Sequence, residues 1–137
     1  MYQTVIIVGN VGRDPEMRYT PSGQAVTSFS VATNRVYNNS AGQRVEETTW
    51  FRISAWGKLA ETCNNFLKKG SKVLVEGRLV ADANGGPRIW NRQDGTPAAS
   101  FEITANTVRF LSTRGEAEGG SGEGMSDSSM AEDEIPF

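Results

Sequence analysis

Glu47-Thr48-Thr49-Trp50-Phe51-Arg52-Ile53-Ser54-Ala55-Trp56-Gly57 is the stretch whose reading decides the fold. Its residues alternate strictly. Phe51, Ile53 and Ala55 fall on one side of an extended strand, and Trp50, Arg52, Ser54 and Trp56 on the other, with Thr48 in the same row. A strand buried on both sides reads as a continuous apolar run, not as two tryptophans flanking an arginine. One side of this strand therefore meets a core, and the other presents rings and a cation outward. Such a face is suited to stacking: every nucleic-acid base has a π-face that an aromatic ring can hold, worth about 1 to 3 kcal/mol per base, and a guanidinium adds a phosphate or cation-π contact. A lone tryptophan is more often structural than ligand-binding, so the spacing Trp-x-Arg-x-x-x-Trp carries the argument rather than either ring.

Downstream, Gly57 breaks the strand, and residues Lys58 to Lys69 place Leu59, Cys63, Phe66 and Leu67 at helical spacing. Lys68 and Lys69 complement the dipole at the end of that expected helix, and Gly70 suits a left-handed cap. Upstream, a first strand runs from Thr4 to Val8, reaching Val11, before the turn formers Gly12, Asp14 and Pro15. A second spans Val26 to Tyr37 and closes on the turn at residues 38–42. Beyond the helix, Lys72 to Val80 reads as a fourth strand, a long polar stretch ends near Ala99, and Ser100 to Leu111 reads as the fifth. A mostly β chain of five strands, with one α-helix between strands three and four, has the element order of the OB-fold barrel. Residues 1–112 are thus expected to form one nucleic-acid-binding domain. Apolar positions on both strand faces near Leu74 and Val80 predict that it forms a homo-oligomer.

Charge divides the chain. Through Arg114 there are fourteen basic residues against nine acidic ones, and beyond it seven acidic residues and no basic one. A basic body points to a polyanionic ligand, with the acidic tail competing for that surface or reaching another protein. Residues 115–131 contain no aromatic or β-branched residue, so 113–131 read as a disordered Gly/Glu/Ser-rich linker. It leads to Glu132-Asp133-Glu134-Ile135-Pro136-Phe137, an acidic, apolar tip read as a partner-docking peptide.

Further rings and cations join the candidate face. Tyr37 shares strand parity with Arg35, and Trp90 sits between Arg88 and Arg92 in the polar stretch; Lys72 and Arg78 complete the basic set around Arg52. Phe29, Phe66, Phe101 and Phe110 have no comparable basic flank and are expected in the core. With no histidine and one cysteine, the chain has neither a Cys/His zinc set nor an internal disulfide. No phosphate-cradling glycine loop or nucleophile motif is present, and Asp14 and Glu16 around Pro15 read as turn residues, so neither catalysis nor a cofactor is expected. No apolar run is long enough to cross a bilayer, and the N-terminus lacks a secretory pattern. The expected setting is the cytoplasm, with no membrane partner.

Taken in order, Val8-Gly9-Asn10, Asp14-Pro15-Glu16-x-Arg18-Tyr19, Gly23, Phe29-x-Val31-Ala32-Thr33, Trp50-Phe51-Arg52, Gly57-Lys58-Leu59-Ala60-Glu61 and Leu67-x-Lys69-Gly70 resemble the bacterial single-stranded DNA-binding protein family. The resemblance covers residues 1–112, and the acidic Ile-Pro-Phe tip resembles that family independently. It implies an OB fold assembled as a homotetramer that wraps single-stranded DNA in replication, recombination and repair, associated with the nucleoid. It also implies stacking at Tyr37, Trp50, Trp56 and Trp90, and recruitment of partner enzymes by residues 132–137. Tyr37 occupies a position where many members carry tryptophan, and the loop around residues 83–87 is lengthened. An RNA-binding OB module and an adaptor built around the tail are the alternatives. The Trp-Arg face weighs against a pure adaptor, and the acidic tip against an RNA module, which has no evident need of it.

Overall fold

In a computed structural model, residues 1–112 are described; the linker and tip expected at 113–137 lie outside them. β-Branched and aromatic residues at alternate positions set the main strands, which are β1 (Val5–Val11), β3 (Ala25–Asn38), β4 (Arg44–Trp56), β5 (Lys72–Leu79) and β8 (Phe101–Phe110). Between β4 and β5 lies the single helix of the described residues, α1 (Lys58–Phe66). Three short strands complete the set: β2 (Glu16–Tyr19), β6 (Ile89–Asn91) and β7 (Pro97–Ala99).

Hydrogen bonding runs in the order β1-β5-β8-β4-β3, and β3 returns to β1 at Asn10–Ala32 and Val11–Val31, which closes a five-stranded barrel. All neighbours are antiparallel except β4 and β8. The expected OB architecture is the one observed.

Inward positions of every barrel strand meet in one core, with Val31, Ile53, Val73, Val75 and Ile103 fully buried. The helix closes one end of it through Ala60 and Cys63. Burial pushes the Cys63 thiol up to about 11, in keeping with its expected role as a small core residue. A second tie between helix and barrel is polar: the buried Thr27 hydroxyl on β3 donates to the Ala60 carbonyl at 2.7 Å.

Three expectations are corrected by the chain path. The helix stops at Phe66 rather than Lys69, because Leu67 turns extended (φ −89°, ψ 149°) and buries its side chain in the core. The following amides are held elsewhere: Lys68 N–H donates to Ser71 Oγ at 3.1 Å, and Lys69 N–H to Asp14 Oδ1 at 2.9 Å. Lys68 and Lys69 therefore do not face the helix dipole, and Gly70 (φ 93°) serves the Lys68–Ser71 turn instead of a helix cap. Second, the Asp14–Glu16 segment is not only a turn, since β2 begins at Glu16 and pairs along β3 from Ser28 to Ala25. Likewise the polar stretch before Ala99 contains the β6–β7 hairpin.

Third, of the four phenylalanines expected inside, only Phe29 is in the core. Phe66, Phe101 and Phe110 are 68%, 61% and 40% exposed. Their positions explain this: Phe66 is the last residue of α1, and Phe101 and Phe110 are the two ends of β8, where the strand has passed the interior. They pair with other rings instead, Phe101 with Phe51 at 5.8 Å between centroids and Phe66 with Phe110 at 6.0 Å.

The tie between β3 and the helix gives a direct test of this packing. Thr27→Val keeps shape but removes the donor to Ala60, and is expected to cost about 1 kcal/mol in a urea unfolding titration. An unchanged midpoint would show that the bond contributes nothing to docking α1.

Candidate nucleic-acid interface

Register places the β4 residues on two faces. Ile53 and Ala55 are fully buried and Phe51 half-buried, while Trp50 and Trp56 are 53% and 39% exposed and Arg52 is exposed between them. Small residues stand opposite on β3, with Ala32 across from Trp50, Ser30 from Arg52 and Ser28 from Ser54. On the β3 side nothing bulky stands beside Trp50 and Arg52. At the rise of an extended strand the two tryptophans are about 20 Å apart.

The same face continues across β8. Arg52 lies beside Glu102 and Ser54 beside Thr104, and Thr104 in turn faces Arg78 on β5. Glu102 would repel phosphate at this point, but Arg88 Nη2 reaches its Oε2 at 2.6 Å and compensates it. Arg52, Arg78 and Arg88 thus gather around one outer surface. Neither Arg52 nor Arg78 has an ion-pair partner among the described residues.

Barrel closure adds a residue that the sequence did not disclose. After β1, Gly12 N–H donates to the Ser30 carbonyl at 3.0 Å and brings the next residue, Arg13, to the β3–β4 surface. A β-carbon at Gly12 would come within 2.5 Å of Trp50 Cζ3 and 2.8 Å of Cη2, so with any other residue here the indole would have to shift from this loop. Arg13 then lines a cleft of about 230 Å³ with Trp50, Arg52, Ser28 and Ser30, and Asp14 and Glu16 line it too. No local motif marks Arg13; the long-range β1–β3 contact alone puts it there.

Other expected residues are distributed around this surface. Beyond the barrel, β3 and β4 continue as a two-stranded ribbon in which Tyr37 faces Val45 and Arg35 faces Glu47. By parity both belong to the face opposite the Trp50 row. Arg35 Nη1 binds Glu47 Oε1 at 3.0 Å, and its guanidinium lies 4.4 Å from the Tyr37 ring centroid, so one face of that ring is already covered. Trp90, 37% exposed, stands on the separate β6–β7 hairpin across from Ala98. Arg92 holds that hairpin, donating from Nη1 to Thr96 Oγ1 and the Pro97 carbonyl, each at 3.2 Å. In its turn the Thr96 amide and hydroxyl hold the Asp94 carboxyl below its ordinary range. Lys72 is not brought to the row: it starts β5 opposite Asn10, on the wall that β5 forms with β1.

Among the described residues no group of three potential ligands could hold a metal ion, and no helix is long and apolar enough to cross a membrane.

Both the sequence and the barrel have known relatives. The sequence profile described as the single-strand binding protein family matches residues 2–111. The chain belongs to this family. A single-stranded DNA-binding protein of Neisseria meningitidis serogroup A is 44% identical over 116 residues, covering 85% of this chain and 63% of the relative. One from Wolinella succinogenes is 39% identical over 120 residues, covering 88% of this chain and 70% of the relative. The match thus spans somewhat less than two thirds of the Neisseria protein. Among solved structures, the Plasmodium falciparum protein named as an SSB complex with ssDNA superposes with a TM-score of 0.67 at 23% identity, over 82% of this chain and 96% of that one. That likeness concerns the fold. A deletion mutant of the Thermus aquaticus single-stranded DNA binding protein gives a TM-score of 0.64 at 28% identity, over 82% of this chain and 51% of the other. The family's proteins are named for binding, not for catalysis.

Proposed function

We propose that this family member binds single-stranded DNA without regard to sequence, coating and protecting it during replication, recombination and repair. The observation that carries the reading is the Trp50–Arg52–Trp56 row, whose rings stay exposed on a strand whose other side is buried. Stacking on π-faces and neutralising phosphates both ignore base identity, so the surface suits a coating protein. Arg78 and Arg88 beside Arg52 extend the row, and a strand that passes round the barrel would further meet Trp90 and Arg92 on the hairpin and Tyr37 and Arg35 on the other face of the ribbon, with Lys72 a more remote contact. Duplex DNA buries its base faces in its own stack and cannot use the rings, which favours single strands.

Wrapping a strand needs more surface than one barrel offers, and we propose a homotetramer. Ile6 and Val8 on β1 are 58% and 45% exposed, and they lie opposite Glu76 and Leu74 on the outer wall of β5. Residues Val5 to Gly9 pair with β5 but not with β3, so one edge of β1 is open to a second chain. The acidic tip 132–137 serves, on this reading, to dock helicases, exonucleases or recombination mediators. Ile135 and Phe137 supply apolar anchors, Pro136 limits the ordering cost, and the carboxylates suit a basic rim. The protein would act in the cytoplasm on nucleoid DNA.

Titration with oligo-dT is expected to quench tryptophan fluorescence, more strongly than oligo-U or duplex DNA at equal concentration. Trp50→Ala and Trp56→Ala should each weaken oligo-dT binding by about 1 to 3 kcal/mol with the fold retained. Wild-type affinity in both variants would remove the platform.

For assembly and recruitment, light scattering at micromolar protein is expected to give four times the chain mass. Deleting Ile135 to Phe137 should abolish pull-down of genome-maintenance enzymes while leaving DNA affinity at high salt unchanged. A monomer in the first experiment, or full recovery of partners in the second, would contradict the corresponding half of the proposal.

A further inference from the structure

We infer that Arg13 holds the phosphate of the nucleotide whose base stacks on Trp50, so that Gly12, Arg13 and Trp50 act as one nucleotide-binding unit. The inference rests on the single-stranded DNA reading and deepens it. Three observations lead to it. The Trp50 benzo ring lies against Gly12, close enough that a β-carbon there would collide with two of its atoms, so ring and loop are in contact. The next residue along that loop is Arg13, which lines the cleft beside the ring together with Arg52. Arg13 has no ion pair and donates no side-chain hydrogen bond among the described residues, unlike Arg35, Arg88 and Arg92, which are all engaged within the protein.

Asp14 and Glu16 also line the cleft. Asp14 turns one oxygen to the Lys69 amide at 2.9 Å, and Glu16 lies exposed on β2. Their carboxylates repel a phosphodiester, whereas the Arg13 and Arg52 guanidiniums attract it. The base then meets Trp50, with Ser28 and Ser30 also lining the cleft. The cleft, about 230 Å³, is of a size for part of one nucleotide, and the unit is assigned to a single position of the DNA path.

The test is a salt series of fluorescence titrations using oligo-dT of about eight nucleotides, within the span of one OB domain. A phosphate contact on a single strand contributes about 0.7 to the slope of log K against log salt. Arg13→Gln should flatten that slope by about 0.7 and weaken binding several-fold at low salt, with the thermal midpoint unchanged. Arg13→Lys, which keeps the charge, should restore the slope. Because one nucleotide makes both contacts, the loss in the Arg13→Gln, Trp50→Ala double variant should be smaller than the sum of the single losses. A wild-type slope in Arg13→Gln, or strictly additive losses, would overturn the inference while leaving the general binding reading intact. Failure of the wild-type protein to bind oligo-dT would instead remove the reading beneath it.

Discussion

The structure depends on the register of β4. Ile53 and Ala55 are fully buried against β3 and β8, and the pairings Ile53 with Phe29 and Ile53 with Ile103 hold them there. Because side chains alternate with a period of two, a slip of one residue would turn Trp50, Arg52 and Trp56 into the core and expose the residues that make it. Burial energy on one face thus holds the binding face on the other. The strand that builds the core thus also presents the Trp50–Arg52–Trp56 row.

That coupling also accounts for what was legible in the sequence. Strict alternation across Trp50–Trp56 displayed both faces at once, and the runs from Val5, Ala25, Lys72 and Phe101 are long enough for β-branched residues to mark them as strands. The short strands were hidden for the opposite reason: Glu16–Tyr19 and Ile89–Asn91 bury little, so their pairing comes from neighbours and turns rather than from pattern. The exposed Phe66, Phe101 and Phe110 were misread because hydrophobicity says nothing of where an element ends relative to the core. Arg13 was invisible for a third reason. Its place beside Trp50 is created by β1 meeting β3, a contact between residues remote in sequence.

Cations on this surface fall into two groups with different consequences. Arg35, Arg88 and Arg92 are tied to Glu47, Glu102 and the β6–β7 turn, where they shape the ribbon, the β8 surface and the hairpin. Exposed pairs such as Arg35–Glu47 add little stability, so their value lies in orientation. Arg13, Arg52 and Arg78 have no such partner among the described residues and keep their charge for a ligand.

The central claim is that the Trp50 row, and not the apolar wall around Ile6 and Leu74, is where DNA lies. Photocrosslinking of a bromouracil-substituted single strand, followed by peptide mass spectrometry, tests it most directly. The account predicts adducts at Trp50 and Trp56. Adducts confined to the β1–β5 wall, with both tryptophans unmodified, would contradict it.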